Sequence, residues 1–203
     1  MESLTNLPDS AFHRNVDKIV LTAGSEKVKP AVLCPPTIYG KGRGPAHQRS
    51  RQAYELAKFI LQNKYIPIIG GGKARWNNVH VSDLASLFVL LTEAALSNPS
   101  DPDPQLWGSK GYLLVENGEH VWADLARLMG RKAEELGYVK DLNEGQLGKE
   151  KALEVAGFEA VSWGLNSRGK AERARKVLGW EPKANSLEEE VENILRDEKA
   201  RLG

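Results

Sequence analysis

Short apolar runs alternate with amphipathic helical segments along this chain, and this alternation constrains the fold more than any other feature. The run Ala31–Cys34 is apolar throughout and is closed by Pro35-Pro36, which is typical of a strand buried in a parallel sheet. The predicted strands are 31–34, 66–69, 77–81 and 112–115. Apolar residues at helical spacing predict helices over 9–23, 48–62, 82–95, 121–136, 145–156 and 168–178. This order predicts an α/β fold that becomes rich in helix toward the C-terminus.

Local signals mark two further boundaries. The stretch 97–104 is rich in Ser, Asp and Pro and is predicted to be a surface loop. The last helix is predicted to begin after Ser186, because Glu189 follows three residues later and completes a capping box. Acidic residues dominate the start of that helix and basic residues its end, which suits the helix dipole.

The composition excludes several classes of function. The chain has 203 residues, with 28 Lys and Arg against 27 Asp and Glu, and this balance argues against binding a nucleic acid. No apolar run approaches the roughly 20 residues that span a bilayer. Cys34 is the single cysteine, so an internal disulfide is impossible. No signal peptide is visible. We therefore expect a cytoplasmic protein that binds neither nucleic acid nor membrane.

Three stretches, in the same order, resemble the extended short-chain dehydrogenase/reductase superfamily, in particular its NAD(P)-dependent epimerase/dehydratase group. Residues 32–40 (VLCPPTIYG) are similar to the family's strand followed by Arg-Pro-x-x-x-Tyr-Gly, with Cys34 in the Arg place. Residues 70–85 (GGGKARWNNVHVSDLA) resemble its glycine loop, basic pair, short strand and Val-x-Asp-Val-Ala helix start. Residues 174–182 (ARKVLGWEP) look like its Leu-Gly-Trp-x-Pro element.

The resemblance implies a remnant of a Rossmann-like parallel sheet together with a helix-rich lobe that binds substrate. On this interpretation residues 1–203 form a single domain. Segments 9–40 and 111–136 would belong to the sheet remnant, and segments 41–110 and 137–203 to the substrate-binding lobe.

The departures from the family pattern concern the cofactor. The sequence has no strand followed by Gly-x-x-Gly-x-x-Gly at the start of a helix, so the amides that would hold a pyrophosphate are missing. The family's catalytic Tyr-x-x-x-Lys is also missing from the helix over 9–23. The same spacing occurs at Tyr54 and Lys58, where the resemblance places a helix of the substrate lobe. We therefore expect this chain by itself to use no cofactor.

The resemblance also points to residues of a substrate pocket. Trp76 stands where many nucleotide-sugar enzymes of the family have an Arg against the substrate phosphate, and its flat apolar face favours an aromatic or polyketide-like molecule. Tyr39 and His47 are the candidate acid/base residues. The predicted substrate-binding residues are Thr37, Arg43, Arg75, Trp76, Asn77 and Asn78. The histidines and carboxylates lack the spacing of metal ligands, so no metal site is expected.

Two functional hypotheses follow. The first is a cofactor-independent enzyme that isomerises, dehydrates or cyclises a small molecule by acid/base catalysis, with hydride transfer only if a partner supplies the nucleotide site. The second is a non-catalytic remnant or fragment that acts as an accessory or hetero-oligomeric subunit. Because a sheet remnant leaves a strand edge and an apolar face uncovered, we also expect a homodimer that covers them.

Overall fold

The structure is a computed structural model that describes residues 7–97, 100 and 103–203. Half of the predicted loop 97–104, namely residues 98, 99, 101 and 102, lies outside the described residues. The helices are α1 (Arg14–Thr22), α2 (Gln52–Asn63), α3 (Val81–Ser97), α4 (Trp122–Glu135), α5 (Lys149–Ser162), α6 (Glu172–Leu178) and α7 (Leu187–Leu202). The strands are β1 (Val32–Cys34), β2 (Thr37–Tyr39), β3 (Tyr65–Ile69), β4 (Arg75–His80), β5 (Tyr112–Leu114), β6 (Glu119–Val121) and β7 (Asn143–Leu147).

The predicted α/β class is confirmed, whereas several elements differ from the sequence prediction. The start of the predicted helix 145–156 is wrong, because Asn143–Leu147 is a strand that pairs in parallel with Tyr65–Ile69. Asn143–Leu147 has no β-branched or aromatic residue, so the pairing with a neighbouring strand, and not local propensity, makes it extended. Strands β2 and β6 have three residues each, too short to give a clear periodicity.

The chain divides into two compact units, each with its own strands. Unit 1 contains the described part of residues 1–35 together with 85–115 and 170–181. Its sheet consists of β1 and β5, which pair in parallel from Val32↔Tyr112 to Cys34↔Leu114. Its small core gathers apolar side chains from the sheet, α3, α6 and the preceding loops: Ala31, Leu33, Leu91, Ala94, Leu106, Trp107, Leu113, Val177 and Leu178.

Unit 2 comprises residues 36–84, 116–169 and 182–203. It holds a three-stranded sheet in the order β2-β4-β6 and a two-stranded sheet of β3 and β7. Helices α2, α4 and α7 pack against one another, and their contacts build the larger core. Met129, Ile194 and Leu195 have no exposed side-chain surface there. The predicted capping box is confirmed, since the Ser186 side chain accepts from the Glu189 amide and Glu189 accepts from the Ser186 amide.

These units do not test the predicted domain division, which stays a prediction. Among the described residues, no helix is both long and apolar enough to cross a membrane. In the same residues no group of three or more His, Cys, Asp or Glu side chains could hold a metal ion.

Candidate functional site

All the site residues predicted from the sequence lie in unit 2, on β2, on β4 or in the loop that follows β2. Strands β2 and β4 are parallel neighbours, with Thr37 opposite Asn78 and Tyr39 opposite His80. Strand β6 pairs antiparallel on β4, with Trp76 opposite His120. The two separate sequence motifs that suggested a pocket are therefore adjacent in the structure.

Strand geometry divides the consecutive residues Arg75–Asn78 between two faces of the sheet. Successive side chains in a strand point to opposite sides, so Arg75 and Asn77 share one face while Trp76 and Asn78 share the other. The side-chain contacts on each face agree with this division. These four residues therefore do not form a single binding surface.

On the first face, two arginines bind one carboxylate at the protein surface. Arg75 donates to Glu119 at 2.8 Å, and Arg168 donates to the other oxygen of Glu119 at 2.5 Å. These hydrogen bonds, that from Arg75 above all, lower the pKa of the Glu119 carboxyl below its ordinary value. Both arginine side chains are more than half exposed, so the group presents one net positive charge to solvent.

Asn77 lies on the same face but is committed to the fold. Its Nδ2 donates to the Gly118 carbonyl at 2.9 Å, and its Oδ1 accepts from the Gly169 amide at 2.6 Å. The backbone N–H of Asn77 also donates to the Ser167 carbonyl, so Ser167 forms a parallel bridge beside Trp76 of β4. The side chain is buried, and this bonding favours a structural role over substrate binding.

The second face is aromatic and largely buried. Trp76 packs edge-on against Trp122 with ring centroids 6.3 Å apart, and His120 packs perpendicular to Trp122 at 4.3 Å. Asn78 is buried and its Nδ2 lies 3.0 Å from His120 Nδ1. Burial lowers the pKa of the His120 imidazole to about 4, so this ring is neutral at neutral pH.

Tyr39 is placed where its hydroxyl serves the fold. The side chain has no exposed surface and its hydroxyl donates to the Asn185 carbonyl at 2.8 Å. Burial, reinforced by nearby carboxylates of which Asp83 is the strongest, raises the pKa of the phenol well above its usual value. The predicted acid/base role of Tyr39 stays a prediction, and in this structure its proton is already engaged.

The tight contact beside Tyr39 explains the Tyr-Gly pair in the sequence motif. Gly40 has a φ of 85°, and a Cβ there would lie 2.2 Å from His80 Nε2. The imidazole of His80 also packs edge-on against Tyr39 and accepts from the Ser82 amide through Nδ1. The pair therefore fixes the approach of β2 to the end of β4.

Of the remaining predicted residues, Thr37 is internal while Arg43 and His47 are exposed. The Thr37 hydroxyl donates to Gln52 Oε1 at 2.9 Å. Arg43 and His47 lie in the loop after β2, and the far end of that loop is held by Arg49, which donates to the buried Glu198 at 2.5 Å. His47 is thus the one exposed candidate for acid/base chemistry among the predicted residues.

The Tyr-x-x-x-Lys spacing on α2 does not form the family's catalytic pair. Tyr54 is 2% exposed and the guanidinium of Arg49 lies over its ring at 5.8 Å. Lys58 donates to Glu55 at 3.3 Å instead of approaching the tyrosine hydroxyl. Both residues belong to the packing of α2.

Sequence reasoning missed His120, Trp122, Glu119 and Arg168, all of which lie beside predicted residues. His120 was considered only as a metal ligand, and the pairing of β6 with β4 is a non-local contact. Residues 119–122 (EHVW) do not alternate polar and apolar side chains, so no local signal indicates this strand. The buried Asp83 of the Val-x-Asp motif also proves structural, since it accepts from the amides of Lys183 and Ala184.

Comparisons with known proteins show which family, relatives and solved structures this chain is similar to. The model of the NAD dependent epimerase/dehydratase family matches residues 10–102. Oxidase ucsJ of an Acremonium species is 34% identical over 97% of this chain and 59% of its own length. An uncharacterized protein of Schizosaccharomyces pombe is 24% identical over 91% of this chain and 55% of its own. The solved structure of RMD from Pseudomonas aeruginosa, complexed with NADPH, superposes with a TM-score of 0.63 at 16% identity. The match covers 96% of this chain and 59% of that structure's chain.

The fold is that of Rossmann-like epimerase and dehydratase structures, and residues 10–102 match the NAD dependent epimerase/dehydratase family that the sequence motifs resemble. The chain spans less than six-tenths of the length of the two curated relatives that it matches.

The residues of this chain do not fit the dinucleotide that the family name implies. A pyrophosphate site needs a glycine-rich turn that leads from a strand directly into a helix. The turn at Gly70–Gly72 leads from β3 into β4, which is a strand. Helices α3 and α4 begin directly after β4 and β6 without a glycine between them, and α5 follows β7 through the single Gly148. Gly40, Gly42 and Gly44 follow β2, but α2 begins only at Gln52, so within the described residues no helix begins directly at a glycine-rich turn that could hold NAD(P).

Proposed function

We propose that this chain is the substrate-binding part of an oxidoreductase, and that the nucleotide is held by an α/β half outside these 203 residues. That half could be carried by a partner subunit or by a longer form of the same protein. The similarity to a protein named as an oxidase supports the reaction class. On this proposal unit 2 offers the aromatic face around Trp76 to a small molecule.

The observation that carries the proposal is the open sheet of unit 1. Within the described residues, β1 pairs with β5 and with no other strand. A parallel sheet is normally buried on both faces and contains more than two strands, because two short strands bury too little apolar surface. The outer edge of β1, between Pro30 and Pro35, therefore suits a further strand supplied from elsewhere.

The apolar face of α1 supports the same conclusion. Val16 and Ile19 lie on one side of this helix and are 51% and 71% exposed. No residue of α1 is buried, although the helix is strongly amphipathic. An apolar stripe beside an open strand edge is a typical surface for another part of an α/β sheet.

A second copy of the chain is the competing occupant of this surface. It corresponds to the homodimer expected from the sequence, and it would pair two β1 edges and bury two α1 stripes. The three-residue length of β1 limits the number of hydrogen bonds that such a pair could form. We therefore favour the nucleotide-binding half.

Co-expression of this chain with the part of the Acremonium oxidase that it does not match tests the proposal. We expect a complex whose melting temperature rises with NADH or NADPH, because a ligand that binds only the folded complex stabilises it. The chain by itself should show no such rise. The double variant Val16→Glu/Ile19→Glu should lose the complex. The control Leu153→Glu, at a 48% exposed position of unit 2, should keep it.

Two results would count against this function. Binding of NADH or NADPH by the isolated chain would mean that it holds a nucleotide site of its own. Failure to form the complex, together with a dimer that Val16→Glu/Ile19→Glu dissociates, would assign the surface to a second copy.

Cofactor-independent acid/base chemistry is a second candidate function, and the exposure of His47 favours it. The imidazole of a loop histidine can take a proton from the carbon beside a carbonyl and return it elsewhere. Deuterium incorporation at C2 of indan-1-one in D2O, followed by NMR, would detect such proton transfer. We expect His47→Asn to abolish it and His13→Asn to leave it unchanged; equal rates in both variants would exclude His47.

A further inference from the structure

Two buried N–H groups of unit 2 lack an acceptor. They are Nε2 of His120 and Nε1 of Trp122, and neither has a hydrogen-bond partner among the described residues. The two side chains are 4% and 2% exposed and their rings are in contact. Most buried polar groups in native proteins are paired, because an unpaired donor loses its hydration without compensation. This pair therefore indicates a position for an acceptor atom.

The hydrogen bond on the other side of His120 determines what kind of atom is needed. Asn78 offers its Nδ2 amide to His120 Nδ1, which must then act as the acceptor. The neutral ring consequently carries its hydrogen on Nε2. Trp122 Nε1 is always a donor. A partner shared by both must accept hydrogen bonds, as a carbonyl, ether or water oxygen does.

The surroundings select an uncharged, flat partner. Trp76 packs against Trp122 and is itself partly exposed, so it connects the buried pair to the surface. Arg75 and Glu119 lie on the opposite face of β4 and β6 because side chains alternate along a strand. An ion on the aromatic face would lose its hydration without gaining a counter-charge. A flat molecule would gain contact with the indole of Trp76.

We propose that His120 and Trp122 form a subsite that binds the carbonyl oxygen of an uncharged, planar small molecule, with Trp76 against its ring. This inference rests on the proposed role of the chain as a substrate-binding part and defines the class of substrate. It differs from the predicted site, because Arg75 and Asn77 lie on the other face and take no part.

Binding of indan-1-one, compared with indane, tests this subsite on the isolated chain. The two probes have the same fused rings and differ by the carbonyl oxygen. The chain contains five tryptophans, and Trp122→Phe identifies the Trp122 indole signal in a ¹H–¹⁵N spectrum by its disappearance. We expect indan-1-one to shift that signal and to bind about thirtyfold more tightly than indane, since each of the two net hydrogen bonds contributes about 1 kcal/mol.

The variants separate the hydrogen bonds from the shape of the site. Trp122→Phe should reduce the preference for indan-1-one to about fivefold, because it keeps an aromatic ring and removes one of the two donors. Trp107→Phe, in unit 1, should leave the preference unchanged. Should Trp122→Phe fail to fold, the comparison of the two probes on the wild-type chain still decides the question.

Three results would overturn the inference. One is equal binding of the two probes. Another is indan-1-one binding that leaves the Trp122 signal in place. The third is a persistent cross-peak between the Trp122 indole proton and a long-lived water that indan-1-one does not displace, which would assign the position to a structural water. None of these results depends on the partner experiment, so the two proposals can fail separately.

Discussion

Unit 1 and unit 2 differ in how completely each encloses its apolar surface. Among the described residues, most of the exposed large apolar side chains belong to unit 1, although it is the smaller unit: Leu7, Phe12, Val16, Ile19, Val28, Phe88, Val89 and Leu96. Unit 2 contributes Leu153, Phe158 and Leu165. Its central strand β4 is paired on both sides. Unit 2 thus resembles a finished core, whereas unit 1 resembles part of a larger sheet.

This difference implies different consequences for equivalent substitutions. In unit 2 a truncated side chain leaves a cavity and loses stability. At the exposed apolar positions of unit 1 the isolated chain makes few side-chain contacts, so the same truncation should weaken association instead of stability. Substitutions at matched positions can break or sharpen this contrast, and the largest effect is expected in the core of unit 2.

Truncation of one isoleucine in each unit should give the clearest contrast. Ile194 is fully buried in unit 2, so Ile194→Ala should lower the free energy of unfolding by about 2–5 kcal/mol. Ile19 is 71% exposed in unit 1, so Ile19→Ala should change it by less than about 0.5 kcal/mol. Urea unfolding followed by tryptophan fluorescence measures both. Similar losses for the two variants would show that α1 is already covered, for example by self-association.

The pH dependence of stability should reveal the buried imidazole of unit 2. The pKa of His120 falls from 6.5 to about 4 on folding, so the unfolded chain binds more protons between these values. The stability that depends on a neutral His120 is therefore fully present above pH 6.5 and is lost as the pH falls toward 4. The full loss is about 3 kcal/mol, of which roughly half or more occurs by about pH 5.

A His120→Gln variant provides the control for this titration. Other histidines and carboxylates titrate in the same range, and Glu119 lies directly beside the ring in sequence. The difference between wild type and His120→Gln isolates the contribution of His120. If the free energy of unfolding of wild type and of His120→Gln changed equally from pH 6.5 to pH 5, the His120 ring would be solvated. Its Nε2 would then need no acceptor from a bound molecule.

The sequence predicted the α/β fold class because the signals for it are local. The apolar run closed by Pro35-Pro36 and the capping box at Ser186 depend on residues next to one another in the chain. Strand β7 could not be predicted in this way, because its extended conformation depends on pairing with β3. Strand β6 depends on β4 for the same reason.

The roles of the candidate site residues stay predictions. The sequence motifs around Tyr39 and Trp76 were assigned to one pocket, and the strands that carry them, β2 and β4, pair with Tyr39 opposite His80. Four consecutive residues were predicted to face one substrate, yet strand alternation separates them. His120 and Trp122 were missed because they approach β4 only through the antiparallel pairing of β6, which has no trace in the local pattern.

Substitution of two glycines in the same loop region should separate a packed position from an open one. Gly40→Ala places a Cβ against His80 Nε2 and keeps a positive φ, so we expect a loss of about 2 kcal/mol in unfolding free energy. Gly44→Ala has no neighbour within 4 Å and should be nearly neutral. Equal effects of the two substitutions would indicate that β2 does not approach β4 as closely as the structure shows.

The smallest expected effect concerns the tyrosine that the sequence suggested as a catalyst. Tyr39→Phe removes a hydroxyl that donates to the Asn185 carbonyl, and it leaves the ring packed against His80. Loss of one internal hydrogen bond should lower the free energy of unfolding by about 1 kcal/mol.

The preference of Tyr39→Phe for indan-1-one over indane should equal that of wild type, since the Tyr39 hydroxyl is bonded to Asn185 and not to the His120 and Trp122 subsite. A variant as stable as wild type, with impaired deuterium incorporation into indan-1-one, would show instead that the hydroxyl reaches substrate. Unit 2 would then be open to substrate at Tyr39, and the two units would differ less in how completely each encloses its side chains.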